Sequence, residues 1–347
     1  MPVYFSTFIS GFQDAVNYLV KDLIKDVVVL KILDGLILYE TNMNIEKIKA
    51  IKIFNNSFLL INKYKPTGSN SIEFALEQFI RIKKRNEQVK SVLESIKPKT
   101  FRVVTSEENK LTSINKDLRN RAETRISKDY LLQIDRLNPD IEFWVISRSE
   151  GIVLIGLRIT RHRTSDKFLL KGELRPELSC LLCWLSEPSR EDVFLDPFCG
   201  YGSIPIERSV LMGYKEIIAS DIDSKKLLYL NKKIEDIKIR NNFILRNDDF
   251  FSNIVLKESS IDKIVTDPPW GDFEGLQEDP SNYYRRFITK SLFYLKENGI
   301  LVFITSRKSE MESILKVLES KIALILKLDI LVSGKKTGVY KLVKKLK

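Results

Sequence analysis

Val193-Phe194-Leu195-Asp196-Pro197-Phe198-Cys199-Gly200-Tyr201-Gly202-Ser203 is an apolar run of strand type that breaks into a glycine-bearing loop, and helical periodicity follows it over 204–211. Two glycines at the carboxyl end of a strand let backbone approach a ligand closely, in the crevice where open α/β sheets bind. No Gly-Lys-Ser/Thr follows, which excludes the phosphate loop, and the third glycine of the dinucleotide fingerprint is missing. A lone G-x-G carries little weight, so the reading depends on what surrounds it.

Downstream, apolar runs at 216–220, 243–245, 263–266 and 300–305 alternate with helical segments, the pattern of a parallel, doubly wound sheet. Runs at 323–332 and 339–343 flank Gly334-Lys335-Lys336-Thr337-Gly338 and predict a terminal hairpin that adds antiparallel strands. Each early strand ends on a ligand-type residue. Asp221 lies roughly twenty residues past the glycines, where an acid accepts both hydroxyls of a ribose. Asn247-Asp248-Asp249 offers a carboxylate to an adenine amine, with Asp248 and Asp249 both open. The fourth strand ends in Asp267-Pro268-Pro269-Trp270. Its prolines fix their own φ and donate no backbone hydrogen bond, so Asp267 and Trp270 stand at a stiff corner. Carboxylate and carbonyl there accept from an exocyclic amine, while the indole stacks on its ring. Alone, the tripeptide Asp-Pro-Pro is a strand-terminating turn. Four successive strand ends of this kind favour a site.

The 347 residues suit two domains, each able to bury a core. With 44% hydrophobic and 30% charged residues the composition is that of a soluble globular protein. No apolar stretch reaches the ~20 residues that cross a bilayer. The longest, 322–332, is interrupted by Lys327 and Asp329. Met1-Pro2-Val3-Tyr4 lacks a secretory pattern, which predicts a cytoplasmic protein. Cys180 and Cys183 form a C-x-x-C among Leu181, Leu182 and Trp184 with no second pair, so buried helix cysteines are expected and no metal. The net charge of +11 is uneven, with 28 Lys/Arg against 20 Asp/Glu in residues 1–170 and 29 against 26 thereafter. The N-terminal half is therefore expected to face a polyanion, with a solvated surface as the plain alternative.

That half begins with strand, helix, strand, the turn Asp34-Gly35, strand, helix and strand over 3–62, a small α+β unit. After a loop at 65–71 come one basic helix over 72–95, a linker at Lys97-Pro98-Lys99, and a strand over 100–105. A helix over 113–127 and strands over 131–135, 142–147 and 152–159 complete it, with a turn at Asn138-Pro139-Asp140. The run Arg81-Ile82-Lys83-Lys84-Arg85, with Arg119, Arg121 and Arg125, is a candidate for phosphate contacts or a solvated helix face. His162, the only histidine, sits between Arg161 and Arg163 and is read as a polar strand-end or linker residue, with a catalytic base as the alternative.

The ordered strand-end set resembles the class I S-adenosylmethionine-dependent methyltransferases that act on exocyclic amines through (Asp/Asn)-Pro-Pro-aromatic. The loop at 196–203 with Ile206-Glu207 looks like the methylase domain of THUMP-containing RNA methyltransferases. Gly172-Glu173-Leu174-Arg175-Pro176-Glu177-Leu178 resembles the segment which that family places beside the methionine end of the cofactor. Phe101-Arg102-Val103-Val104 and Asn138-Pro139-Asp140-Ile141-Glu142 resemble a THUMP domain. Phe8-Ile9-Ser10-Gly11-Phe12 and Leu33-Asp34-Gly35 resemble its ferredoxin-like companion. Tyr201 departs from the usual small residue and Trp270 from the commoner Tyr.

The resemblance implies an α/β chain: a ferredoxin-like unit (1–64), a THUMP-like RNA-binding domain (65–164) and a Rossmann-like, doubly wound methyltransferase domain (165–347). It implies S-adenosyl-L-methionine held by Asp196, Pro197, Cys199, Gly200, Gly202, Asp221 and Asp248, with Asp196 near its amino-acid end. Asp267, Pro268, Pro269 and Trp270 would form the catalytic turn, with Phe273 or Tyr283 as other stacking platforms. The implied acceptor is guanine N2, in tRNA gripped by the basic N-terminal half. Adenine N6, guanine N2 of ribosomal RNA and a catalytically silent RNA-binding protein are the alternatives.

Overall fold

A computed structural model describes residues 1–66, 68, 70–160, 169–239, 242–252, 256–271, 278–332 and 334–346. His162 and Phe273 lie outside these. The chain forms two compact units, residues 1–8 with 20–163 and residues 9–19 with 164–347.

The elements of the first half are β1 (Val3–Thr7), α1 (Gln13–Leu23), β2 (Val28–Leu33), β3 (Leu36–Glu40), α2 (Ile45–Lys49), β4 (Asn56–Tyr64), α3 (Ser71–Arg81), α4 (Glu87–Ile96), β5 (Thr100–Glu107), β6 (Lys110–Leu111), α5 (Lys116–Tyr130), β7 (Gln133–Ile134), β8 (Ile141–Arg148) and β9 (Ile152–Arg158). One nine-stranded sheet runs β2-β3-β1-β4-β9-β8-β5-β6, with β7 also on β5. Leu33 pairs Leu36 across the expected Asp34-Gly35 turn. The single basic helix expected over 72–95 is two helices. Ile82 is extended, and the Asn86 side chain accepts from the N–H groups of Gln88 and Val89, so a fresh helix starts there. The strand expected over 131–135 shrinks to two residues because Leu131 takes a left-handed conformation, φ 57°, at the end of α5.

The Asn138–Glu142 motif has a structural function in this unit. Asp140 accepts from the backbone N–H of Lys99 (2.7 Å) and Thr100 (3.0 Å), pinning the turn to the start of β5. Glu142 accepts from Arg158 (2.9 Å), the Trp144 indole (2.8 Å) and Arg102 Nε (2.8 Å). A buried carboxylate with three such donors stays charged, and its pKa is held down to about 2 although burial alone would raise it.

The second unit contains α6 (Pro176–Leu185), β10 (Val193–Asp196), α7 (Ser203–Leu211), β11 (Glu216–Ser220), α8 (Ser224–Asp236), β12 (Phe243–Arg246), β13 (Ile261–Thr266), α9 (Pro280–Tyr294), β14 (Leu295–Thr305), α10 (Lys308–Val317), β15 (Ile322–Val332) and β16 (Lys335–Lys344). Its sheet runs β12-β11-β10-β13-β14-β16-β15. The first five strands are mutually parallel, and β16 is antiparallel to both neighbours. Val332 pairs Lys335, so the expected hairpin is tighter and its strands longer than the spacing suggests. Leu195, Ile264, Tyr284, Phe287, Leu301 and Phe303 are buried in one apolar cluster. Cys180 and Cys183 are buried in α6, as their apolar neighbours predict. Among the described residues, no helix is long and apolar enough to cross a membrane.

From β10 the chain winds outward through β11 to β12, then returns to β13 on the opposite flank of β10. That reversal opens a crevice beyond the carboxyl ends of β10 and β13, the usual ligand position in open α/β sheets. Asp196 closes β10 and Asp267 follows β13.

Candidate active site

Asp196 is 1% exposed. Thr266 Oγ1, at the end of β13, donates to its Oδ1 at 2.6 Å, and the Phe198 N–H at 3.2 Å. Oδ2 has no hydrogen-bond partner among the described residues. Burial pushes the carboxyl up to about 8; the Thr266 and Phe198 bonds oppose the rise, and the nearby Asp221 and Asp267 charges add to it. A buried acid with a spare oxygen, and with no cation on it among the described residues, suits a ligand that brings positive charge.

The loop that follows is tied to β11. Pro197 and Cys199 are buried, and the Cys199 N–H donates to Ser220 O at 2.9 Å. Gly200 has φ 51°, its N–H donates to Asp221 Oδ2 at 2.8 Å, and a Cβ added there meets nothing within 4 Å. Gly202 has φ 85°, and its Cβ would lie 2.1 Å from Leu230 Cδ1 on α8. The two glycines thus serve different ends: Gly200 leaves open space in front of the loop, and Gly202 lets α8 pack behind it. Asp221 accepts one backbone N–H on each oxygen, from Gly200 and from Asp223 (2.9 Å), and keeps a lone pair on each for a hydroxyl. Asp223 caps α8, accepting from Lys225 N at 2.9 Å. Asp248 pairs with Arg246 Nε at 2.7 Å. Asp249 closes its own turn through Phe251 N (2.9 Å) and Ser252 Oγ (2.6 Å).

On the other side of the crevice, the Trp270 indole N–H donates to Asp267 Oδ1 at 2.8 Å. Burial pushes the Asp267 carboxyl up to about 7, against that donor's pull downward. Three residues that sequence reasoning passed over hold this turn. Tyr284 Oη donates to the Pro269 carbonyl at 3.1 Å, Thr305 Oγ1 donates to Tyr284 Oη at 2.7 Å, and Arg307 Nε donates to the Trp270 carbonyl at 2.7 Å. Thr305 ends β14, so the strand-end rule that found Asp221 points to it as well. A tyrosine inside a helix carries no such signal. Tyr283, expected as a stacking platform, is 6% exposed, with its ring edge-on to Phe251, so it is core.

The arrangement places a cation-seeking acid and open space beside the glycine loop on β10, with a rigid pair of acceptors facing the same crevice from β13. Residues 163–324 match the family described as UPF0020, RMKL-like, methyltransferase domain. Over 145 residues the chain is 33% identical to a probable tRNA (guanine(10)-N2)-dimethyltransferase of Methanothermococcus thermolithotrophicus, covering 39% of this chain and 83% of that protein. Over 149 residues it is 29% identical to a tRNA (guanine(10)-N2)-dimethyltransferase of Methanothermobacter thermautotrophicus, covering 43% of each. The crystal structure of TrmN from Thermus thermophilus has the same fold, with a TM-score of 0.79 at 20% identity over 99% of this chain and all of that one. The Methanothermococcus protein apart, the match covers between 32% and 62% of the length of the curated relatives.

Proposed function

The chain belongs to the RMKL-like methyltransferase family, and we propose that it transfers a methyl group from S-adenosyl-L-methionine to the exocyclic N2 of a guanosine in tRNA. The observation that carries this reading is the bond from Thr266 to Asp196, 70 residues apart, which fixes the donor-side acid beside the strand that delivers Asp267.

The residues present fit the cofactor. The spare oxygen of buried Asp196 suits the ammonium of its amino-acid end, and the open space before Gly200 admits its body past Pro197 and Cys199. Gly202 keeps the loop seated on α8, Asp221 retains two lone pairs for ribose hydroxyls, and Asp248 is the candidate for the adenine amine. Bound there, S-adenosyl-L-methionine supplies a methyl already activated on sulfonium, so the protein contributes orientation and electrostatics. Asp267 Oδ2 and the Pro268 carbonyl accept the two N–H bonds of the guanine amine. The nitrogen is thereby drawn out of conjugation and its lone pair aimed. Pro269 stiffens the turn, and the half-exposed Trp270 ring lies against the base. A carboxyl titrating near neutrality also suits the proton that the nitrogen sheds.

We assign residues 1–64 to a ferredoxin-like unit, 65–164 to a THUMP-like RNA-binding domain and 165–347 to the methyltransferase. The basic excess of the first half draws tRNA in a cytoplasmic protein. The names of the curated relatives favour guanine N2 over adenine N6. The test is transfer from labelled cofactor to a tRNA pool, followed by nucleoside mass spectrometry. N2-methylguanosine is expected with the wild-type chain and none with Asp267→Ala. Label in N6-methyladenosine would reassign the acceptor, and equal incorporation by the variant would remove Asp267 from the mechanism.

A further inference from the structure

We propose that Trp270, Tyr284, Thr305 and Arg307 form a positioning frame that occupies the acceptors of the Asp267–Trp270 turn selectively, leaving Asp267 Oδ2 and the Pro268 carbonyl for the substrate amine. The inference rests on the amine-methylation reading above. A turn with two consecutive prolines cannot donate at those positions and has no ladder to join, so its carbonyls depend on donors from elsewhere. Tyr284 of α9 serves the Pro269 carbonyl, and Arg307, beside the start of α10, serves the Trp270 carbonyl. Thr305 at the end of β14 links them: its hydroxyl donates to Tyr284 Oη and accepts the Arg307 N–H at 3.0 Å.

That linkage sets the direction of the chain. Tyr284 Oη accepts from Thr305 and therefore turns its own hydrogen toward Pro269. Thr305 and Tyr284 are both fully buried, which keeps water from substituting for either hydroxyl. The Trp270 N–H takes Asp267 Oδ1 in the same manner. Among the described residues, Asp267 Oδ2 and the Pro268 carbonyl have no hydrogen-bond partner, and two acceptors match the two N–H bonds of an aromatic amine. A frame of this kind governs how the amine is aimed once bound, so its loss falls on kcat and spares KM.

Steady-state transfer to tRNA by the full chain tests this with Tyr284→Phe, Thr305→Val, Thr305→Ser and Trp270→Phe. We expect Tyr284→Phe, Thr305→Val and Trp270→Phe to lower kcat about 10- to 100-fold, with KM for tRNA and cofactor within about twofold. Thr305→Ser, which keeps the hydroxyl, recovers most of the rate. Wild-type kcat in Tyr284→Phe and Thr305→Val overturns the frame while leaving the methylation reading intact, as does a loss that appears in KM or that Thr305→Ser fails to recover. A wild-type chain that binds the cofactor in calorimetry but methylates no amine overturns the reading beneath it.

Discussion

Asp196 is an acid with no counter-ion among the described residues, and its pH behaviour follows from its burial. Its folded value near 8 lies well above the ~3.9 of an unfolded aspartate, so folding favours the protonated form. The stabilisation is complete below about pH 4 and is lost as pH rises through about 8. Asp267, at about 7, acts in the same direction. We therefore expect the melting temperature of the ligand-free chain to fall from pH 5 to about 9, and Asp196→Asn to flatten part of that fall. Binding of the cationic cofactor runs the opposite way. In the placement proposed above it favours ionised Asp196, so affinity by calorimetry should rise toward pH 8 more steeply in wild type than in Asp196→Asn. The two glycines offer a paired test at the same scale. Gly202→Ala drives a methyl into Leu230 and should cost about 1–3 kcal/mol of stability in urea titration. Gly200→Ala points its methyl into open space but strains a backbone φ of 51°, so it should cost about 1 kcal/mol, less than Gly202→Ala, and lose cofactor affinity.

At the scale of elements, the basic run at 81–85 and the arginines of α5 divide by partner. Arg121 is bonded to both oxygens of Glu77 (2.8 and 3.1 Å) and Arg125 to Asp129 (2.5 Å), so both serve the fold. Lys83 and Lys84 are exposed in the break, with no ion pair among the described residues. Lys83→Ala and Lys84→Ala should each weaken tRNA binding and make its dependence on log salt shallower by about one. Arg121→Ala should leave the slope unchanged. The break itself was half legible: Asn86 is a capping residue in plain sight, but apolar spacing on both sides of it gives one continuous helical period. The parallel strands were read closely because each carries an apolar run that ends in a polar residue, although β12 at the sheet edge is only partly buried. Tyr284 and Arg307 escaped because each acts through a carbonyl of a distant turn, a relation that composition and periodicity do not encode.

For the whole molecule, the decisive property is the reversal of strand order beside β10. The sequence predicted parallel strands and a terminal hairpin, and the structure adds the order that brings Thr266 to Asp196. That order could not be read from spacing, since any right-handed winding satisfies the same alternation. The hairpin has its own consequence. It leaves β15 at the end of the strand order, with Leu324, Ile325 and Leu331 exposed along it and Gly11 of the 9–19 segment against Asp329 and Ile330. Lys327 and Asp329 interrupt that run and are fastened to Glu312 (3.1 Å) and Lys308 (2.6 Å) on α10. We expect them to act as gatekeepers against self-association. Replacing both with valine should leave the circular dichroism spectrum of the fresh protein intact and sharply lower the concentration at which light scattering rises. On that expectation, resistance to self-association rests on two side chains only two strands away from Thr305, since Asp329 and Thr305 both pair with Gly338.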